Sequence, residues 1–254
     1  MILNVTEAGA GAPLVLLHGL FGAARNLGVL TRALSTSYRV VALDLRNHGD
    51  SPHDPRMDYQ LLADDVAETL AHLGLSGVRL CGHSMGGKTA MMLALTRPEL
   101  VSHLAVMDIA PVAYGHHYSD FTKAMLEVPL SAQLTRAEAE QILAKIVKEA
   151  PMRAFLLNNL VLGSQPRWRV GVREIDANMA NLFRWDDPSD AVPYLGPTLF
   201  LCGAASNYVT PAAEPAIKQR FPQARIEYIE GAAHWLHADK PEQVITALRE
   251  FLAS

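Results

Sequence analysis

The sequence is poor in cysteine, in net charge and in long uninterrupted apolar segments. Its two cysteines, Cys81 and Cys202, each close an apolar strand-like run, as small buried residues of a reducing compartment do, rather than suggesting a disulfide or a thiol nucleophile. A formal charge of −4 over 254 residues argues against a nucleic-acid partner. Residues 1–6 run straight into Glu7 and glycines, and no basic head with a long apolar stretch occurs, so neither a signal peptide nor a membrane-spanning helix is expected and the cytoplasm is the expected location. Repeats, low-complexity tracts and charge blocks are missing too. The ten histidines show no ligand spacing, and adjacent His116 and His117 read as loop residues, so no metal and no cofactor is called for. What is present is apolar content: half of the chain, enough for the sizeable core of one large α/β domain.

Apolar runs at residues 14–17 and 40–43 lack alternation, as strands covered on both faces do. Between them Leu27, Leu30 and Leu34 have helical spacing, and Leu62, Val66, Leu70 and Leu73 mark an amphipathic helix over residues 61–73. Further strands are expected at residues 78–81, 104–107, 198–203 and 226–229, with helices over residues 89–95 and 212–220 and one opened by Pro241. Strand followed by helix, several times over, means a mostly parallel sheet flanked by helices. The alternation stops after Pro111. Residues 112–193 read mainly as helices: a capping box spans Thr135 and Glu138, Ile142, Leu143, Ile146 and Val147 follow at helical spacing before Pro151, and residues 155–161 and 175–183 look helical too. Such an insertion between two strands is expected to lie over the strand ends as a cap, dividing the chain into a core of residues 1–111 and 194–254 and a cap of residues 112–193.

The chemistry concentrates at Gly82-His83-Ser84-Met85-Gly86. A strand runs in and a helix runs out, which places Ser84 on a sharp turn whose flanking glycines leave room for it. An unassisted hydroxyl is a poor nucleophile, so Ser84 needs a base. His234, in the small-residue loop at residues 231–235, follows the serine in the required order and is preferred to His237. Acyl hydrolysis also builds an oxyanion, for which the amides of Met85 and Leu20 are the expected donors, with Phe21 as the alternative. The usual site for the orienting acid, the loop at residues 203–209, has no carboxylate; the next acid, Glu214, falls in the following helix. Asp108, at the end of the strand beside the nucleophile strand, takes that role here, the alternative being a backbone-bonded cap. Ser206 is then a neutral partner near His234 or only a loop residue.

Five blocks, at residues 18–22, 44–49, 82–88, 108–112 and 231–235, give the chain a resemblance to the α/β-hydrolase superfamily over nearly its whole length, and more narrowly to the YbfF-type esterases. The resemblance implies a cap inserted after the sixth strand, an acid after that same strand, and a cytoplasmic serine hydrolase of carboxylic esters or acyl-CoA thioesters. Carbon–carbon bond hydrolysis or a lyase reaction on the same residues, or ligand binding on a hydrolase scaffold, are the alternatives. The expected partner is a small acyl ester or thioester; oligomeric state is not legible.

Several polar and aromatic residues admit two readings. Asp44, Arg46, Asn47 and His48 either contact substrate or brace the His18–Gly19 turn, and the brace is preferred because a buried polar loop must satisfy its own backbone. Lys88 either meets an anion or is a solvated or cap-facing lysine. Tyr114, Tyr118, Phe121, Met125, Phe155 and Trp168 either line an acyl pocket or fix the cap to the core.

Overall fold

The structure is a computed structural model describing residues 1–115, 119–188 and 192–253. Its first half alternates strand and helix: β1 (Asn4–Ala8), β2 (Pro13–Leu17), α1 (Gly28–Leu34), β3 (Arg39–Asp44), α2 (Tyr59–His72), β4 (Val78–His83), α3 (Met85–Thr96) and β5 (Val101–Met107). The insertion holds α4 (Ser119–Leu126), α5 (Arg136–Leu143), α6 (Ala150–Leu157), the short strands β6 (Leu160–Val161) and β7 (Arg167–Trp168), α7 (Val172–Ala177) and α8 (Met179–Phe183). Alternation resumes with β8 (Thr198–Gly203), α9 (Glu214–Arg220), β9 (Ala224–Ile229), α10 (Leu236–Asp239) and α11 (Pro241–Leu252).

Seven strands form one sheet in the order β1-β3-β2-β4-β5-β8-β9, parallel throughout except for β1. Because successive side chains leave opposite faces, each uninterrupted apolar strand feeds two cores. Val15, Leu17, Leu80 and Val106 pack with α2, α3 and α9 on one side; Leu14, Leu16, Cys81 and Met107 pack with α1 and α11 on the other. Cys81 and Cys202 lie buried in opposite cores and are free, and burial pushes the Cys81 thiol up to about 12. Among the described residues no helix is long and apolar enough to cross a membrane.

Several boundaries differ from the sequence reading, each for a physical reason. β1 carries Asn, Thr and Glu at a sheet edge and has no apolar run to announce it; its signal is the antiparallel register from Asn4 opposite Asp44 to Ala8 opposite Val40. Counted along this chain, the insertion follows the fifth strand. Residues 155–161 are not one helix: Pro151 sits in the first turn of α6, where its missing amide costs nothing, and Leu160 and Val161 turn into a hairpin opposite Trp168 and Arg167. The capping box forms, with Glu138 N donating to Thr135 Oγ1 at 3.2 Å and Thr135 N to Glu138 Oε2 at 2.8 Å, but α5 stops at Leu143, before Ile146 and Val147. Residues 175–183 break at Asn178, whose amide nitrogen donates to Glu174 O and Pro55 O while its oxygen accepts from Met57 N. His116, His117 and Tyr118 lie outside the described residues.

The insertion is tied to loops beyond the C-terminal ends of β2 and β3. Gly171 N donates to Asn47 O at 2.8 Å, and Asn159 Nδ2 to Phe21 O at 2.7 Å. The β3 loop is held in turn by a buried ion pair, Arg46 Nε to Asp65 Oδ2 at 2.6 Å and Nη2 to Oδ1 at 2.9 Å. Removing one partner strands a desolvated charge, so Asp65→Ala is expected to cost about 3–5 kcal/mol in urea denaturation. The double change Arg46→Met with Asp65→Leu should recover most of that. A double variant as unstable as the single one would contradict this account of the loop.

Candidate active site

Ser84 stands between β4 and α3 at φ 53°, ψ −117°. A side chain cannot be accommodated on either flank: a β-carbon on Gly82 would lie 2.2 Å from Gly86 O, and one on Gly86 would lie 2.4 Å from Leu17 O. The strained turn is pinned by Ser84 N donating to Met107 O at 3.0 Å and by Lys88 N donating to Ser84 O at 3.0 Å. The hydroxyl therefore projects from the start of α3, beside the amide of Met85 and the positive end of the helix.

Three side chains from distant parts of the chain meet there. His234 Nε2 lies 3.0 Å from Ser84 Oγ, and His234 Nδ1 lies 2.7 Å from Asp108 Oδ2. With Nδ1–H donating to the carboxylate, Nε2 is left as the acceptor for the serine proton. Asp108 is fully buried, sits at φ 52°, and accepts on both oxygens: Oδ1 from Gly203 N at 3.0 Å, and Oδ2 also from Ser206 Oγ at 2.5 Å. Ser206 Oγ accepts in turn from Tyr208 N at 3.2 Å.

The neighbouring turn, after β2, depends on two buried histidines. Leu45 N donates to His18 Nε2 at 2.9 Å and Phe21 N donates to His48 Nε2 at 3.1 Å; the other ring nitrogens face Gly19 O and Arg46 O, both at 2.8 Å. Each ring thus donates through Nδ1 and accepts through Nε2, which requires it to be neutral. Burial lowers both pKa values, that of His48 to about 3. The bond to His48 spends the Phe21 amide, so the alternative donor of the sequence reading is already committed. Among the described residues, the turn and loop hydrogen bonds include none from the Leu20 or Met85 amide. The Asp44–His48 loop braces the turn, as preferred from sequence. Asp44 Oδ1 accepts from Ala24 N at 2.7 Å and Oδ2 from Asp50 N at 3.0 Å; burial opposes the charge, and these amides outweigh it to hold the carboxyl below its ordinary value.

A cavity of about 380 Å³ opens over Ser84, with walls mainly apolar. Of the aromatic and methionine residues singled out from sequence, Tyr114 and Phe155 line it. Phe121 instead packs edge-on against Phe21, and Trp168 Nε1 donates to the carbonyl of buried Met125. Lys88 is not solvated: it is 1 % exposed, lines the cavity and donates to Arg184 O at 3.0 Å. Two contacts escaped the sequence. The Tyr208 ring stacks on His234 at 3.8 Å, and His83 Nε2 donates to the His234 carbonyl at 2.9 Å. Both residues lie within stretches whose sequence signal is the nucleophile or the missing carboxylate, where an aromatic ring carries no separate signal.

A family model for the alpha/beta hydrolase fold matches residues 12–241. The chain belongs to the α/β-hydrolase family. It is similar to the sn-1-specific diacylglycerol lipase ABHD11 of Mus musculus, 42% identical over 98% of this chain and 84% of that one. It is also similar to esterase YbfF of Escherichia coli, 37% identical over 95% of this chain and 93% of that one, in line with the resemblance carried by the five blocks. Among solved structures, a marine microorganism esterase superposes with a TM-score of 0.94 at 35% identity, covering 98% of this chain and 99% of the other.

The neutral histidines make stability depend on pH. In the unfolded chain His48 takes up a proton near its ordinary value of 6.5, but in the folded protein only near 3, so its contribution is complete above 6.5 and is lost as pH falls toward 3. Urea denaturation is expected to show stability falling through that window, with His18, His83 and His237, all lowered by burial, adding to the slope. His48→Gln should lose about 1–3 kcal/mol at pH 7, from the buried Phe21 amide deprived of its ring acceptor, and show a shallower acid slope. A variant as steep as the parent would contradict the neutral-ring assignment.

Proposed function

We propose that this α/β hydrolase cleaves carboxylic esters, or thioesters such as acyl-CoA, through an acyl-enzyme on Ser84. The coarse part of this reading, a hydrolase acting on esters, rests on the esterase and lipase names of its relatives. The finer part rests on one observation: Ser84, His234 and Asp108 stand in a hydrogen-bonded line at 3.0 Å and 2.7 Å, opening on an apolar cavity.

In the first half of the reaction Ser84 Oγ attacks the acyl carbon as its proton passes to His234 Nε2. The carbonyl oxygen becomes an oxyanion, received by the amides of Leu20 and Met85, and the imidazolium that forms is stabilised by the Asp108 carboxylate. His234 then protonates the leaving alcohol or thiol. In the second half it takes a proton from water as the water oxygen attacks the acyl-enzyme, then gives that proton to Ser84 Oγ as the acyl–oxygen bond breaks, releasing the acid and free Ser84. Ser206 shares the carboxylate oxygen that His234 uses, so it fixes that oxygen's direction without carrying charge. Residues 112–193 serve as a cap whose aromatic residues roof the cavity, and the cytoplasm is the compartment in which such a small-molecule hydrolase works.

Hydrolysis of an acyl chain-length series, as p-nitrophenyl esters and as CoA thioesters, tests the reading, with Ser84→Ala as the blank. Turnover is expected to vanish in the blank and to peak at one chain length; a folded protein inactive on both series would contradict it. Asp108→Asn leaves the wrong imidazole tautomer and should lower kcat by roughly 10³–10⁴-fold. Ser206→Ala should lower it far less, and the reverse order would remove Asp108 from its role.

A further inference from the structure

One buried charge has no part in this mechanism. Lys88 lies on α3, four residues beyond Ser84, so the two share a helix face and stand about 6 Å apart along the axis. Helical side chains lean toward the N-terminus, which directs the lysine stem back toward the serine end of α3. Its ammonium donates to Arg184 O and lies 4.9 Å from the Tyr114 ring centroid, 5.2 Å from that of Tyr59 and 6.0 Å from that of Trp185. Among the described residues, no carboxylate lies within ion-pair distance of it.

A buried ammonium is costly to desolvate, and one carbonyl with three aromatic faces compensates it only in part. Lys88, Tyr59 and Tyr114 all line the cavity over Ser84. An alkyl tail resting there would strip away the residual solvation and return nothing, whereas a carboxylate would complete the pair. His234 must face the leaving group to protonate it. The Tyr114 ring that the ammonium faces packs on Tyr208 at 5.3 Å, and Tyr208 stacks on His234, so two aromatic rings link the lysine to the imidazole.

We propose that Lys88 is an anion subsite for the distal end of the acyl group, so that half-esters or half-thioesters of short dicarboxylic acids are preferred to neutral acyl chains of equal length. This rests on the acyl-enzyme reading of Ser84 above. The subsite has a pH signature, because burial lowers the Lys88 pKa to about 7, against the weaker opposing pull of Asp186. The titratable or charged groups around it are Tyr59 from α2, Tyr114 from the segment after β5, and Asp186, which is exposed and paired with Arg184. Burial raises Tyr59 and Tyr114 well above the ordinary tyrosine value, so both stay neutral. Below pH 7 Lys88 is cationic and holds the carboxylate; above it, the preference fades.

The test compares kcat/KM for p-nitrophenyl hemiesters of succinic, glutaric and adipic acid with the same compounds capped as neutral methyl esters. In the wild-type protein one hemiester is expected to exceed its neutral counterpart by about tenfold or more near pH 6, the ratio declining as pH rises through about 7. Taking the ratio removes the titration of His234, which both substrates need. In Lys88→Met the ratio should fall at least tenfold. Free glutarate should inhibit the wild-type enzyme competitively, more weakly above pH 7, a readout that survives if the variant does not fold. Equal rates on charged and neutral esters, with no glutarate inhibition, would overturn the subsite and leave the esterase reading standing, with Lys88 then only a tether to the insertion. A preference unchanged in folded Lys88→Met would also overturn it. No hydrolysis of either compound would instead remove the acyl-enzyme reading on which the subsite rests.

Discussion

Ser84 is held at φ 53°, in a backbone region that costs a residue with a β-carbon on the order of 1–3 kcal/mol. The rest of the site depends on that constraint being paid for by its surroundings. Gly82 lets the start of α3 approach within a distance at which a β-carbon would touch Gly86 O, and Gly86 lets the same helix approach Leu17, the last residue of β2, and His18 just beyond it. The amide of Ser84 is bound to Met107 O, so the next strand over also fixes the turn. Relaxing any of these contacts would let the hydroxyl swing away from His234, 150 residues further along the chain.

The strain is not confined to the serine. Phe21 at φ 60° and Asp108 at φ 52° lie just beyond β2 and β5, the strands on either side of β4. Three adjacent strands thus end in left-handed residues at one sheet edge, each secured by a buried polar contact: Phe21 N to His48, Ser84 N to Met107 O, and Asp108 N to Leu201 O. The carboxylate at the end of β5 reaches the same imidazole that a carboxylate after β8 would reach, because β5 lies between β4 and β8 in the sheet. The position it leaves open on the β8 loop is filled by Ser206, which hydrogen-bonds the carboxylate without adding a second charge.

Much of this was legible in the sequence wherever one local rule acted alone. Unalternating apolar runs gave the parallel strands, the glycines around Ser84 gave the elbow, and the missing carboxylate at residues 203–209 pointed to Asp108. What was not legible depended on partners distant in sequence. β1 exists because Asp44 to Val40 offers it an edge; the hairpin at Leu160 exists because Trp168 pairs with it; and residues 175–183 break because Asn178 bonds to Pro55 and Met57. Lys88 in the sequence admits an anion contact or a solvated or cap-facing position, and only the packing of Tyr59, Tyr114 and Trp185 around it shows that it is buried at the cavity.

The claim that carries the account is that the strained turn presents Ser84 as an activated nucleophile. Intact-mass analysis after treatment with a fluorophosphonate tests it most directly, since the reagent needs only the nucleophile, its base and the oxyanion donors, whatever the natural substrate. One adduct per chain, mapped by peptide digestion to Ser84 and lost in His234→Ala, is the expected result. A folded protein that takes up no label, or takes it up on a residue other than Ser84, would contradict the account.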